Sequence, residues 1–239
     1  MKNFFIVLAF ASSLFATGCG GGSTSGAAPI DPTMTVPFQA AVANFALNGA
    51  NQNFTISGWV DNSPLTNPGQ QTPLTGNGNL ARGTPSPATF NGIPALEATE
   101  VVAGSTTENG QTTPFSSTEI IYYSPGNYTT VGTVSGGETM LISPYTLPVA
   151  VKAGDTGLLG SGTQGGTLPT TSTESYAVTS DSATSLLVTL TQNTDAGISG
   201  STTTQTAYRV TTSANISLVS ITTQYKSVGI VYKLLTFTF

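Results

Sequence analysis

The sequence predicts an all-β protein: an antiparallel meander curled into an open or closed barrel, with a two-sheet β-sandwich as the alternative. Three observations predict it. Segments that alternate apolar and polar residues recur at short spacing and are rich in Thr, Val, Ile, Leu and Tyr, residues that suit a pleated, half-buried surface. Turn residues such as Asn-Gly separate these segments. After the first 18 residues, no stretch of ten or more shows a convincing helical period. A long antiparallel meander buries its apolar face by curling on itself or by packing on a second sheet. The lack of an internal Cys…Trp…Cys pattern weighs against an immunoglobulin domain.

Residues 36–47 (VPFQAAVANFAL) open the domain. Phe38, Ala40 and Val42 alternate with Gln39, Ala41 and Ala43, which predicts a strand, although the alanines allow a short helix. Asn48-Gly49 then predicts a hairpin into a strand at 53–60 (NFTISGWV). Residues 61–87 hold Pro64, Pro68, Pro73, Pro85 and Pro87. Proline cannot donate to a ladder, so only a short strand near 78–82 is expected there. Residues 88–105 read as one long strand, bulged or bent at Gly92 and Pro94. Asn109-Gly110 predicts a hairpin into 111–123, and Pro125-Gly126-Asn127 makes the next turn. Short strands follow at 128–134 and 139–143 around Gly136-Gly137. Residues 145–151 lead into a Gly-Asp turn at 152–157, and the glycine-rich run 157–166 reads as a flexible loop. Five strands close the chain, at 175–179, 185–193, 202–212, 216–226 and 228–239. Asp195-Ala196-Gly197 and Ser213-Ala214-Asn215 supply turns among them, and Val231, Leu235, Phe237 and Phe239 share a face of the last strand.

The N-terminus has its own logic. Lys2 precedes an apolar run at 4–15 (FFIVLAFASSLF), which is shorter than the roughly 20 residues a membrane-spanning helix needs. Small residues follow, so residues 1–18 read as a removable export signal. Residues 19–33 form a Gly/Ser tether that stiffens at Pro29 and Pro32, and residues 34–239 form a single β domain. Ala16-Thr17-Gly18-Cys19 resembles a bacterial lipobox, with Ala16 where the family usually has leucine. The resemblance implies cleavage between Gly18 and Cys19, a diacylglycerol on the Cys19 thiol and an acyl chain, such as palmitate, on the new α-amino group. Gly20 stands where an aspartate would favour inner-membrane retention, so the resemblance implies an outer-membrane lipid anchor, in either leaflet. The whole chain resembles the anchored all-β envelope lipoproteins of Gram-negative bacteria. That likeness rests on Cys19-Gly20-Gly21-Gly22, on the β-rich body, and loosely on Leu147-Pro148 followed by Lys152-Ala153-Gly154-Asp155-Thr156-Gly157. It names no activity.

Composition excludes several chemistries. The chain has 6 Lys and Arg against 11 Asp and Glu, with no basic cluster to hold nucleic acid or to dock on lipid headgroups. With no histidine and a single cysteine, Ser–His catalysis, the usual zinc sites and any internal disulfide are absent. No Asp-x-Asp-x-Asp-Gly loop suggests calcium, and no Gly-Lys-Ser/Thr suggests phosphate binding. No cofactor or metal is expected.

Four weaker candidates remain. Asp155-Thr156-Gly157 matches the aspartic-protease tripeptide, but there is no second copy, and the preceding Gly154 replaces an apolar strand, so a turn is the better reading. Glu97 and Glu100 lie three apart, which on a strand puts them on opposite faces; solvent-facing charge is expected of both. Lys152, Lys226 and Lys233 could serve a Ser–Lys dyad only without any recognisable motif around them. Asp181 and Asp195 read as isolated turn residues. The expectation is therefore a non-enzymatic, membrane-anchored envelope protein that binds an apolar ligand or envelope component inside a curled sheet. Leu186, Val188 and Leu190, which share a face, motivate it. A structural or adhesive surface module is the alternative. An outer-membrane β-barrel, prompted by the apolar alternation ending at Phe239, or a carboxylate hydrolase comes third.

Overall fold

The computed structural model describes residues 31–62, 64, 69–165, 170–197 and 200–239. The signal at 1–18, Gly18, Cys19 and all but the end of the tether lie outside them. In chain order the elements are β1 (Thr35–Val36), α1 (Phe38–Asn48), β2 (Ala50–Asp61), β3 (Gln71–Arg82), β4 (Ser86–Phe90), β5 (Ile93–Glu108), β6 (Gln111–Tyr123), β7 (Thr130–Ser135), β8 (Glu138–Ile142), β9 (Val151–Lys152), β10 (Thr156–Gln164), β11 (Thr170–Ser182), β12 (Ser185–Asp195), β13 (Ser201–Thr211), β14 (Ile216–Ser227) and β15 (Ile230–Thr238).

Twelve of these strands form a closed antiparallel β-barrel. Each ring strand pairs with the next one in the chain, apart from two excursions. At the first, β4 hangs on the start of β5 through Ser86↔Glu97 to Phe90↔Ile93, while β3 joins the rest of β5 through Leu74↔Glu108 to Arg82↔Glu100. At the second, β9 leaves the ring and pairs with β1, Val36 opposite Val151. The last strand closes the ring by pairing with β2 from Lys233↔Val60 to Thr238↔Thr55. The hairpin at Asn109-Gly110 forms as expected, with φ of 50° and 77° at the two residues, the twist that suits a tight β-turn.

Apolar residues face inward. Phe54 and Ile56 of β2, Leu74 and Leu80 of β3, Val188 and Leu190 of β12 and Val210 of β13 all belong to one buried core. Their outward neighbours Asn51, Asn53, Thr55, Ser57, Thr75, Asn77 and Arg209 are exposed. An eight-stranded barrel is just wide enough for its own side chains to fill, and a wider ring leaves space. In this protein α1 and the β1–β9 pair fill part of that space: Val36, Phe38 and Ala41 are completely buried in the barrel core, with Val151 beside them.

The helix corrects the expected first strand and the hairpin at Asn48-Gly49. Phe38, Ala41, Val42, Phe45 and Ala46 recur at helical spacing and all face the interior or its cavity. Four alanines raise the helix propensity of the segment. Gly49 ends the helix at φ 67°, where a Cβ would stand 2.4 Å from the Arg82 carbonyl oxygen.

Three further expectations change. The proline-rich segment carries the full twelve-residue β3 in place of a short strand near 78–82, because Pro73 lies near its start and leaves the ladder beyond it intact. Gly92, at φ 78°, marks a complete hairpin turn between β4 and β5, with no bulge in a single strand. The glycine-rich run after Asp155 is β10, with Gly162 buried in the ladder.

Candidate functional site: a charged cavity inside the barrel

Two rows of cross-strand neighbours meet inside the barrel. On one wall Glu100 of β5 stands opposite Arg82 of β3 and, on its other side, opposite Glu119 of β6. On another wall Glu174 of β11 stands opposite Gln192 of β12, which stands opposite Thr204 of β13. Strand alternation sends all of these side chains inward, in phase with Ile121, Tyr123, Val178 and Leu190.

Arg82 and Glu100 form a fully buried ion pair. Arg82 Nε and Nη2 both donate to Glu100 Oε2, at 2.9 and 2.6 Å. The guanidinium also lies 4.7 Å from the centre of the Phe45 ring of α1, a cation–π contact in a desolvated setting. Burial opposes the Arg82 charge, but the Glu100 carboxylate overcomes it and holds the guanidinium pKa above its usual value.

Like charges directly opposite on a sheet repel. Glu119 avoids that cost by keeping its proton. Burial first, and the Glu100 carboxylate second, push its carboxyl up to about 8, against the hydrogen bond with Thr133 and the Arg82 charge. Its Oε1 is buried and has no hydrogen-bond partner. Burial likewise pushes Glu174, which also borders the cavity, up to about 8. Tyr145 and Tyr208 are pushed up by burial as well. The upward shifts of Glu119 and Glu174 favour the protonated, uncharged form of both side chains near neutral pH.

Arg82, Glu119 and Glu174, together with Tyr123, Tyr145 and Tyr208, border a cavity of about 80 Å³. Phe38, Phe45 and Ala46 of α1 form one side of it, and the lining is mostly apolar. Gln192 also reaches it, donating to the Met140 sulfur at 3.9 Å, a weak partner. A space of this size holds a few waters or one small organic molecule. Drug-sized ligands take roughly 300–1,000 Å³.

The residues singled out from sequence are not brought together. Glu97 and Glu100 do lie on opposite faces, but Glu100 is buried in the ion pair, which corrects the expectation of solvent-facing charge. Asp155 is a turn residue: its Oδ2 accepts from the Lys152 amide at 2.9 Å. Asp181 is paired, and so is not isolated: Arg209 Nε donates to its Oδ2 at 2.7 Å. Asp195 caps its turn by accepting from the Gly197 amide. Lys152 is exposed, while Lys233 points inward with its amine 5.5 Å from the Tyr225 ring centre. Cys19 lies outside the described residues.

Arg82, Glu119 and Glu174 are not among the candidates that the sequence motifs single out. A signal existed: Glu119 shares its strand face with Ile121 and Tyr123, and Glu174 shares its face with Tyr176 and Val178, so each is a charge in phase with an apolar row. Among the described residues no group of three or more His, Cys, Asp or Glu could hold a metal, and no helix is long and apolar enough to cross a membrane. No protein-family model matches the chain, and no curated protein or solved structure matches it either.

Proposed function

We propose that the mature protein is a lipid-anchored envelope protein, held through Cys19 at the outer membrane, whose barrel binds one small, largely apolar molecule without transforming it. The observation that carries this reading is the cavity beside α1, with its apolar lining and a few convergent polar groups, the composition of a binding site. Its volume favours a small molecule over an acyl chain.

Two further observations support it. The outward faces of β2, β3 and β13 carry Asn, Thr, Ser and Arg209 while their inward faces are apolar, unlike the apolar outer band of a barrel that faces lipid, which favours an acyl anchor over a lipid-embedded barrel. Acid–base chemistry by a pair of carboxyls needs one member ionised and the other protonated. Here Glu119 and Glu174 are both held protonated, and Glu100 is committed to Arg82. The Thr- and Asn-rich outer face favours a second reading, an adhesive surface module, which requires the barrel to be exposed on intact cells.

Native mass spectrometry tests the first reading. The mature chain carrying Cys19→Ser, exported to and purified from a bacterial periplasm without detergent, is expected to carry a small non-covalent adduct that leaves on collisional activation. A clean apo mass, unchanged after incubation with periplasmic extract, would contradict it.

A further inference from the structure

Resting on the binding reading above, we infer that the ligand is a small organic cation, an ammonium group on a short apolar body. The wall around the cavity carries more acid than base. Arg82 is the one guanidinium there, and Glu100 neutralises it through two short hydrogen bonds. Glu119 and Glu174 then face the same space with no cation of their own among the described lining residues.

Glu119 is the more telling of the two. It is 7% exposed, it borders the cavity, and its Oε1 accepts from nothing. An unpaired buried acceptor costs roughly 1–3 kcal/mol, and a ligand N–H placed in the cavity removes that cost. On the other wall Gln192, equally buried, offers its amide to the cavity with the Met140 sulfur, a weak acceptor, as its partner.

Aromatic rings supply the rest of the chemistry. Tyr123, Tyr145 and Tyr208 line the cavity, and Phe38 closes it from the helix. Phe45 already receives the Arg82 guanidinium, which shows these walls accepting a cation on a ring face. Carboxyls among aromatic faces in a largely apolar pocket form the environment that binds ammonium groups. A neutral alcohol meets protonated carboxyls and gains a hydrogen bond. A cation gains a carboxylate once one glutamate gives up its proton to solvent, so its binding is coupled to proton release and strengthens with pH.

Titration calorimetry with n-butylammonium and 1-butanol, on the mature Cys19→Ser chain, tests this. At pH 8 the ammonium is expected to bind about tenfold or more tighter than the alcohol. Its advantage should shrink at pH 6. At pH 7, runs in buffers of different ionisation enthalpy should show about one proton released per ammonium bound, and none for the alcohol. Glu119→Gln and Glu174→Gln should each cut the proton release, while the wild-type pH series stands without any variant. Equal binding of alcohol and ammonium, with no proton released, overturns the cation assignment and leaves the binding reading intact. If neither probe binds, the cation assignment falls, and a clean apo mass in the native spectrum then removes the binding reading with it.

Discussion

Replacing Arg82 by methionine should cost about 3–5 kcal/mol of folding stability, a large share of the 5–15 kcal/mol of a typical domain. The reason is what remains behind. Glu100 would be left in the core without its cation and directly opposite Glu119. The expected signature has two parts. The loss should be larger at pH 8 than at pH 5, because the stranded carboxyls escape their mutual repulsion by taking up protons. The double variant Arg82→Met/Glu100→Leu should recover to within about 1 kcal/mol of wild type, since exchanging a whole buried ion pair for apolar side chains is often neutral or better. Urea denaturation at both pH values measures this. A single-variant loss below about 1 kcal/mol would mean that the pair is solvated and the barrel interior is open to water.

Phe38→Ala should be nearly as severe, at about 3–5 kcal/mol. Phe38 is completely buried, sits 6.3 Å centre to centre from Tyr176 of the barrel wall and helps to line the cavity. Its removal enlarges an existing void, so the wall cannot collapse around the gap. Leu47→Ala, on the exposed side of the same helix, should change stability by less than about 0.5 kcal/mol. Thermal unfolding followed by circular dichroism compares the two. Equal, small effects would show that α1 does not occupy the barrel.

The ring of strands was legible because period-2 alternation and Asn-Gly turns are local signals. The strand at 111–123 and its hairpin at Asn109-Gly110 needed nothing more. What failed had long-range causes. In residues 38–46 small alanines satisfy period 2 and period 3.6 equally well, and only the width of a twelve-stranded ring makes a helical plug the better solution. Pro73 suggested a break in the sheet, yet its position close to the start of β3 leaves the ladder beyond it intact. The candidate site was hidden for the same reason. Arg82 and Glu100 are 18 residues apart, and Glu174 lies on a distant strand, so only barrel closure gathers them. The lipobox and its Cys19 remain a reading of the sequence.

Glu119 and Glu174 border a largely apolar cavity whose described lining holds no cation but the Arg82 already paired with Glu100, so burial raises both carboxyls. Carboxyl ¹³C chemical shifts followed against pH, in the mature chain and in its Glu119→Gln and Glu174→Gln variants, test this most directly. Both groups have folded values raised from 4.5 to about 8. Their stabilisation is therefore complete below about 4.5 and is lost as pH rises to about 8. The prediction is two carboxyl resonances titrating near pH 8, each removed by one variant, together with a fall in stability across that pH window that either variant reduces. If every carboxyl instead titrates below about pH 5, in the range of solvated Asp and Glu, the interior is wet and the account of the cavity is wrong.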